Sequence, residues 1–338
     1  MMSKSAFGSL SMGLAIGALL AGCGSSEDPG PSAAGTAGAS GTAGAGAIGG
    51  VGGTDGVGGA GAAGGVGGTD GVGGAAGAGG AGGGSSFPPV TDFGAPGPFQ
   101  TTRAAEGPAC TIFRPEPLGE QGRKHPMIIW GNGTGASVAV YQATFTHWAS
   151  HGFIVAAANT SNSGSGTEMI ACLDWVIQQG EAASGTYAGK VDASKVGASG
   201  HSQGGAGTLM AGRDARVIVT APLQPYVAFP LGGFQNGSIT AQKGAMFLMS
   251  GSGDTIARPP ANQQPIFDQT NVPVFWGTLE GATHTGTAIG NIGGYRGPAT
   301  AWFRLHLMGD ESARSLFYGA SCGLCSDSTW DVQKKDFQ

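Results

Sequence analysis

The chain has 338 residues, of which 68 are glycine, and its formal net charge at pH 7 is −5. This charge and the lack of a basic cluster exclude nucleic acid as an expected partner. The glycine is unevenly distributed, because residues 24–86 contain almost only Gly, Ala, Ser, Thr and Val. A stretch with no aromatic residue and only scattered valines and one isoleucine as larger apolar side chains cannot form a core, so we expect residues 24–86 to be a disordered tether.

The N-terminal residues 1–22 have the pattern of a signal peptide. Lys4 precedes the apolar run LSMGLAIGALLAGC, which is too short to span a bilayer. The last four residues, LAGC at 20–23, resemble a bacterial lipobox, in which the cysteine is lipidated after cleavage. We therefore expect lipidated Cys23 to anchor the chain to a membrane of the cell envelope, and Gly24 favours the outer membrane or cell surface. The alternative is an ordinary signal peptide with an incidental cysteine.

Residues 87–338 are numerous enough for one catalytic domain with its own core. Short apolar runs rich in β-branched residues alternate with helical segments, which predicts an α/β fold with a mostly parallel twisted sheet and helices on both faces. The expected strands cover residues 109–113, 127–130, 153–158, 194–199, 217–221, 245–250 and 273–278. The expected helices cover residues 138–150, 167–179, 203–212 and 298–308, the last beginning at Pro298.

The sequence GHSQG at residues 200–204 fits the pattern G-x-S-x-G. It lies between an expected strand and an expected helix, which is the context of a nucleophile elbow. The tight turn of such an elbow needs neighbours without side chains, which accounts for the glycines. An ordinary Gly-Ser loop would not account for the flanking strand and helix, so the pattern predicts that Ser202 is a nucleophile.

A serine hydroxyl needs a base to accept its proton, and His284 is the predicted base. In this fold the base follows the nucleophile along the chain, and only two histidines come after Ser202. His306 lies in the apolar stripe of the final helix, where a packing role is expected. His284 instead follows an expected strand, in a loop of small residues.

The carboxylate that orients the base is expected between the serine and the histidine in the chain. Asp254 directly follows the strand at 245–250 and is the predicted acid. Asp268 in a proline-bounded segment and Glu280 at the end of the histidine's own strand are the alternatives. A turn-forming role for Asp254 in GSGD also stays open.

Two backbone amides are needed to stabilise the oxyanion of an acyl-transfer intermediate. One is expected from Gln203, directly after the serine. The other is expected from the sequence GNGTG at residues 131–135, with Asn132 preferred and Gly133 and Thr134 as alternatives. A phosphate-binding loop is a weak interpretation of these glycines, because no lysine follows at the required spacing.

Four further cysteines fit an oxidising compartment. Cys322 and Cys325 are expected to form a small structural disulfide, because a second pair of zinc ligands is lacking. A thioredoxin-like redox role is poorly supported by their place near the C-terminus. Cys110 and Cys172 either pair or stay buried thiols, since sequence does not give their distance.

Six segments of the chain resemble successive motifs of one enzyme group. They read IIWGNGTGAS, HWASHGFIVAAANTSNSGSG, SGHSQGGAG, APLQPY, GSGDTIARP and GATHTG. In this order they are similar to the single-domain α/β-hydrolases that include cutinase-like polyester hydrolases and poly(ethylene terephthalate) hydrolases. The resemblance covers nearly all of residues 96–320 and implies an α/β-hydrolase fold with ester chemistry. It places the nucleophile, acid and base of that group on Ser202, Asp254 and His284.

The same resemblance implies two substrate-binding positions. His201 matches the histidine that many cutinase-like enzymes carry before the serine, and Tyr226 falls where they place a tryptophan that stacks on the substrate. Those enzymes usually have an aromatic residue at the first oxyanion position and methionine after the serine. In this chain the first oxyanion position is held by Asn132 or a neighbour, and the residue after the serine is Gln203. Activity on aromatic polyesters therefore does not follow from the resemblance.

Together these patterns predict a lipid-anchored serine ester hydrolase that acts through an acyl-enzyme on an ester or polyester. We expect it to be a monomer that needs no cofactor and no metal. A lipase or a polysaccharide deacetylase is the alternative enzyme. The alternative of another class is a non-catalytic envelope-binding lipoprotein with the same fold.

Overall fold

A mixed β-sheet organises residues 87–337, the part of the chain that the computed structural model describes. Its strands are β1 Thr101–Glu106, β2 Cys110–Pro115, β3 His125–Gly131, β4 Ile154–Ala158, β5 Val191–His201, β6 Val217–Leu223, β7 Ala245–Gly251, β8 Val274–Leu279 and β9 Trp330–Lys335. They lie in the order β1-β2-β4-β3-β5-β6-β7-β8-β9. The six strands from β4 to β8 in that order are parallel, whereas β1, β2 and β9 pair antiparallel. The mostly parallel sheet confirms the predicted α/β-hydrolase fold class.

Helices cover both faces of this sheet. They are α1 Gln142–Ser150, α2 Thr167–Glu181, α3 Gln203–Ala211, α4 Gln263–Gln269, α5 Arg296–Met308 and α6 Gly323–Ser326. Side chains of α1 and α5 pack into one apolar cluster with Ile128 and Trp130 of β3. Side chains of α2 pack with Met127 and Ile129 of the same strand in a second cluster. Successive residues of β3 therefore face opposite helical layers, as alternation along a strand requires.

The parallel strands bring several loops to one edge of the sheet. Residues 127–130 of β3 are fully buried, since this central strand is covered on both faces. Because β3, β5, β6, β7 and β8 run in the same direction, their carboxyl ends meet at a single edge. Loops that follow these five strands are placed there, and this edge is where such sheets bind ligands.

All seven predicted strands are present, and the differences from prediction lie at the edges of the sheet. The antiparallel strands β1 and β9 and the short helices α4 and α6 were not predicted. Residues 138–141 form a 3-10 helix before α1 rather than its first turn. The prediction that the long C-terminal helix begins at Pro298 is wrong, because α5 begins at Arg296. Proline is accommodated there because the first-turn amides have no intrahelical acceptor.

Two disulfides are formed among the described residues. Cys110 at the start of β2 is bonded to Cys172 in α2, across a sequence separation of 62 residues. Cys322 is bonded to Cys325 at α6, as predicted. Cys110 and Cys172 are therefore paired and are not free buried thiols, the two possibilities that the sequence left open.

Within residues 87–337, no helix combines the length and apolar character that crossing a membrane requires. The predictions of a signal peptide, of lipidated Cys23 and of a tether at 24–86 fall outside the described residues. They stay predictions.

Candidate active site

Ser202 lies in the sharp turn between β5 and α3. Its backbone has φ 59° and ψ −118°, a conformation that residues with a side chain rarely adopt. The turn is held by two backbone hydrogen bonds. The Ser202 amide donates to the carbonyl of Leu223 at 3.1 Å, and the Ser202 carbonyl accepts from the amide of Tyr226 at 3.0 Å. Both partners belong to β6 or to the loop after it, so the neighbouring strand fixes the serine.

The glycines on either side of the serine are required by close backbone contacts. A Cβ atom on Gly204 would lie 2.0 Å from the carbonyl oxygen of Gly131 at the end of β3. A Cβ atom on Gly200 would lie 2.3 Å from the Gly204 carbonyl oxygen. Neither position can hold a larger residue unless the backbone moves. The motif therefore brings the start of α3 directly against β3.

A continuous series of hydrogen bonds links the serine to a histidine and an aspartate. His284 Nε2 lies 2.8 Å from Ser202 Oγ, and His284 Nδ1 lies 2.7 Å from Asp254 Oδ2. An ionised aspartate accepts the Nδ1 proton, which leaves Nε2 free to accept the proton of the serine hydroxyl. The structure thus brings together the three residues that sequence order selected.

Asp254 is held in place by its second carboxylate oxygen. Oδ1 accepts hydrogen bonds from the amides of Ile256 and Ala257, both at 2.8 Å. The Asp254 side chain is fully buried, so these amides replace the water that an exposed carboxylate would bind. The alternative acids lie elsewhere. Asp268 in α4 accepts from the side chain of Gln264, and Glu280 donates its amide to the Thr329 carbonyl.

The three oxyanion candidates of the loop 131–135 differ in what their amides contact. The preferred candidate, Asn132, does not fit this role, because its amide donates to Ser163 Oγ at 3.0 Å and the residue is fully buried. The amide of Gly133 makes a long contact of 3.4 Å with the hydroxyl of Tyr141. Among residues 87–337, no acceptor is found for the amide of exposed Thr134. The amide of Thr134 is thus the freest of the three to meet a substrate oxygen.

The amide of Gln203 is the second predicted oxyanion donor. Gln203 is the first residue of α3, where amides have no intrahelical acceptor and the positive end of the helix dipole favours negative charge. Its side chain lies away from any open cleft, because Gln203 is 3% exposed and its Oε1 accepts from the amide of Ser163.

The two predicted substrate-binding residues differ in exposure. Tyr226 is half-buried, and the hydrogen bond from its amide to the Ser202 carbonyl places it beside the predicted nucleophile. His201 is only 3% exposed, and its ring centroid lies 4.6 Å from that of His284. Direct contact of His201 with a substrate does not fit this burial. The residue packs instead against the histidine of the site.

Two residues next to the site were missed from the sequence, namely Tyr141 and Ser163. The Tyr141 hydroxyl lies 2.8 Å from Nδ1 of His201, and Ser163 joins Gln203 to Asn132. Tyr141 lies outside the quoted motifs, and the motif that contains Ser163 gives this residue no role, since each acts through partners that are distant in sequence.

No group of three His, Cys, Asp or Glu side chains in residues 87–337 is arranged to hold a metal ion.

The doubly covered parallel sheet, the serine on a strand-to-helix turn and its hydrogen-bonded histidine and aspartate define the class of α/β-hydrolases. Residues 108–328 match the model of the PET hydrolase-like family, PETase. The chain belongs to this family.

The sequence identity to individual relatives is low. Cutinase 2 of Thermobifida cellulosilytica is 29% identical over 182 residues, which make up 51% of this chain and 63% of that protein. Cutinase est2 of Thermobifida alba is 29% identical over 192 residues, or 53% of this chain and 59% of that protein. Cutinase cut1 of Thermobifida fusca is 29% identical over 182 residues, covering 51% of this chain and 52% of its own length. The matched region thus spans less than two thirds of each of these cutinases.

Proposed function

We propose that the protein is a serine ester hydrolase that acts through an acyl-enzyme. The observation that carries this proposal is the series of hydrogen bonds at 2.8 and 2.7 Å from Ser202 through His284 to Asp254. Family membership and the names of the cutinase relatives support the same chemistry. A serine that is activated by a neighbouring base can cleave a carboxylic ester, and this chemistry requires no metal or cofactor.

In the first half of the reaction, Ser202 Oγ attacks the ester carbonyl carbon while His284 Nε2 takes the hydroxyl proton. The negative charge that forms on the carbonyl oxygen is stabilised by the amide of Gln203 and by an amide of the loop 131–135, with Thr134 the preferred residue. His284 then gives its proton to the leaving alcohol. In the second half, water enters in place of the departed alcohol and attacks the acyl carbon while His284 Nε2 takes a proton from it. The bond to Ser202 Oγ then breaks, His284 returns the proton to Oγ, and the acid is released.

The test uses p-nitrophenyl esters of increasing acyl length and the variant Ser202→Ala. We expect turnover of the short esters by the parent and a loss of roughly 10³-fold or more in the variant, because residues of such a site act as a unit. Ser161→Ala, an exposed serine on a neighbouring loop, is the matched control. Equal turnover in parent and Ser202→Ala would disprove the site assignment.

The surface around the site favours extended apolar esters as substrates. Among residues 87–337, the large apolar side chains that are exposed are Val140, Phe229, Ile256 and Ile289. All of them lie on segments that follow β3, β6, β7 or β8, the strands whose carboxyl ends meet at the edge holding the site. Apolar side chains gathered on one face mark a contact surface. We infer that this face meets a polyester, and that Tyr226 stacks on the acyl group.

A polyester substrate is tested with Phe229→Ser, which removes the most exposed of these side chains, at 62% exposure. Release of soluble acid from an aliphatic polyester film should fall several-fold, while hydrolysis of p-nitrophenyl butyrate stays the same. Phe229→Tyr keeps a flat apolar ring and is expected to behave like the parent on both substrates. A parent that prefers soluble esters with acyl chains of about twelve carbons or more would instead be a lipase.

We also propose that Cys23 anchors the enzyme by lipidation to the envelope, at the outer membrane or cell surface. The support is the sequence LAGC at residues 20–23, behind an apolar run. Cys23→Ser should move the protein from the membrane fraction to the soluble fraction. Equal membrane association of variant and parent would contradict lipidation at this position.

A further inference from the structure

We propose that Tyr141 and Ser163 are positioning residues that hold the loop 131–135 against the nucleophile elbow and so preset an amide for the oxyanion. Each of them connects this loop to a residue directly beside Ser202. The inference rests on the proposed ester hydrolysis and assigns two further residues to that reaction.

The first connection runs through Ser163, in the loop between β4 and α2. Its amide donates to Gln203 Oε1 at 3.1 Å, and its hydroxyl oxygen accepts from the amide of Asn132 at 3.0 Å. Ser163 and Asn132 are fully buried and Gln203 is 3% exposed, so water does not compete for these bonds. One buried serine therefore joins the residue after the nucleophile to the loop.

The Asn132 side chain completes this connection. Its Nδ2 donates to the carbonyls of Ala158 and Thr160, both at 2.8 Å. Its Oδ1 accepts from the indole of Trp130 at 3.1 Å. Every polar group of the side chain is thus satisfied inside the protein, and Asn132 serves to fix the loop.

The second connection runs through Tyr141, in the 3-10 helix after the loop. Its hydroxyl lies 2.8 Å from Nδ1 of buried His201, and the amide of Gly133 donates to the same hydroxyl at 3.4 Å. Burial, with a smaller effect of His284, holds the pKa of His201 well below 6.5, so its ring is neutral. Burial also raises the pKa of Tyr141 to about 12, so the phenol keeps its proton. The hydroxyl is hydrogen-bonded to His201 Nδ1, and it donates in the tautomer that carries the ring proton on Nε2.

The two connections act on the same short loop from both sides of the nucleophile. His201 and Gln203 flank Ser202, so the loop is fixed relative to the reacting serine. The amides of Asn132 and Gly133 are directed to Ser163 and Tyr141, and the next amide, that of Thr134, is left for the substrate.

The composition of the loop makes these connections important. The sequence GNGTG has no large side chain to hold it by packing, and Gly135 has φ +73°. An oxyanion donor lowers the barrier only if it is already in place, since its reorganisation would cost part of the gain. The side-chain oxygen of Gln203 thereby helps to position the loop through Ser163.

The experiment compares Tyr141→Phe and Ser163→Ala with the parent on p-nitrophenyl butyrate. We expect kcat to fall roughly 10- to 100-fold in each with KM changed by less than about twofold, because the oxyanion exists only in the transition state. The inhibition constant of butylboronic acid, which forms a tetrahedral adduct with the serine, should rise in parallel. Ser163→Thr, which keeps the hydroxyl, should recover most of the activity.

Matched controls separate this effect from a general loss of stability. Tyr187→Phe removes a buried phenol that donates to Glu106, and Ser199→Ala removes a buried hydroxyl that donates to the carbonyl of Ala221. Both should leave kcat and boronate inhibition near the parent values at comparable Tm. Gln203→Met removes the acceptor of the Ser163 amide and still fills the space of the Gln203 side chain. This variant replaces Ser163→Ala in the experiment if Ser163→Ala does not fold.

The outcomes distinguish this inference from the proposed function. An active parent with unchanged kcat in folded Tyr141→Phe and Ser163→Ala would overturn the inference alone. A rise in KM without loss of kcat would overturn it as well, because it would indicate a ground-state contact. A parent that hydrolyses no ester and does not react with a fluorophosphonate at Ser202 would refute the proposed function, and the inference with it.

Discussion

At the scale of single residues, the two oxygens of Asp254 have separate tasks. Oδ1 is occupied by two backbone amides, which set the orientation of the carboxylate. Oδ2 faces His284 Nδ1 and selects the tautomer in which Nε2 can accept a proton. In the proposed reaction, the same carboxylate thus orients the base and stabilises its charged form.

Asp254→Asn should separate these two tasks. The asparagine oxygen can still accept from the amides of Ile256 and Ala257, whereas its NH₂ group would face His284 and force the proton onto Nε2. We expect kcat to fall by roughly 10³- to 10⁴-fold with little change in Tm. Steady-state kinetics and a thermal melt measure both, with exposed Asp268→Asn as the control. A larger loss in the control would transfer the acid role to Asp268.

The residues at the site divide into those that sequence reveals and those it does not. Ser202 has a local motif, and the order of acid and base along the chain selects Asp254 and His284. The Tyr141–His201 contact joins positions 60 residues apart, and that between Ser163 and Gln203 joins positions 40 apart. Only the folded sheet brings such positions together, so sequence patterns do not mark Tyr141 or Ser163.

At the scale of secondary-structure elements, the contact between α3 and β3 depends on glycine. The Gly204 Cα lies so close to the carbonyl of Gly131 that even a methyl group would overlap backbone atoms of Gly131 and Asn132. This contact fixes the distance between the nucleophile elbow and the loop 131–135.

Gly204→Ala should therefore reduce both stability and activity. The added Cβ would lie 2.0 Å from the Gly131 carbonyl oxygen, and relief requires movement of α3 or β3. We expect the free energy of unfolding to fall by about 2 kcal/mol or more, as for overpacked cores. Gly237→Ala is the control, because a Cβ there meets no atom within 4 Å. Chemical denaturation of both variants should show a loss only for Gly204→Ala.

The strands were predictable from the sequence where burial on both faces requires a continuous run of apolar residues. Central strands such as β3 and β4 are buried on both faces, and their sequences are apolar apart from His125 at the start of β3. The outer strands β1 and β9 read TTRAAE and WDVQKK and are mostly half-buried. Polar edge strands of this kind cannot be distinguished from loops by hydrophobicity, since pairing with a neighbour defines them.

At the scale of the whole molecule, several histidines are buried in the neutral form. Burial, partly opposed by a hydrogen bond to the Phe93 carbonyl, lowers the pKa of His147 to about 4. Burial also lowers the pKa of His151 to about 4, and His147 and Arg304 act in the same direction. Asp92 near His147 and Asp310 near His151 favour the protonated form but do not offset burial.

The low pKa values of these buried histidines predict that the protein loses stability in mild acid. An unfolded histidine takes up a proton near pH 6.5, whereas folded His147 and His151 do so only near pH 4. Between these values the unfolded chain binds more protons, so the free energy of unfolding falls as the pH decreases, by up to about 1.4 kcal/mol per pH unit for each histidine. Guanidinium denaturation at pH 7.5, 6 and 4.5 measures this slope. His147→Gln should reduce it, and an unchanged slope would contradict the assignment.

The backbone conformation of Ser202 implies a conflict between resistance to heat and esterase activity. Its positive φ suits glycine far better than serine, and such a conformation costs on the order of 1–3 kcal/mol. Ser202→Gly would remove that cost and keep the backbone hydrogen bonds of the turn, and like Ser202→Ala it loses the contact of Oγ with His284. The greater freedom of unfolded glycine offsets up to about 1 kcal/mol of the gain. We expect Ser202→Gly to have no esterase activity and a higher Tm than Ser202→Ala, which keeps the unfavourable backbone. The proposed chemistry thus requires a side chain on a backbone conformation that lowers the resistance of the protein to heat.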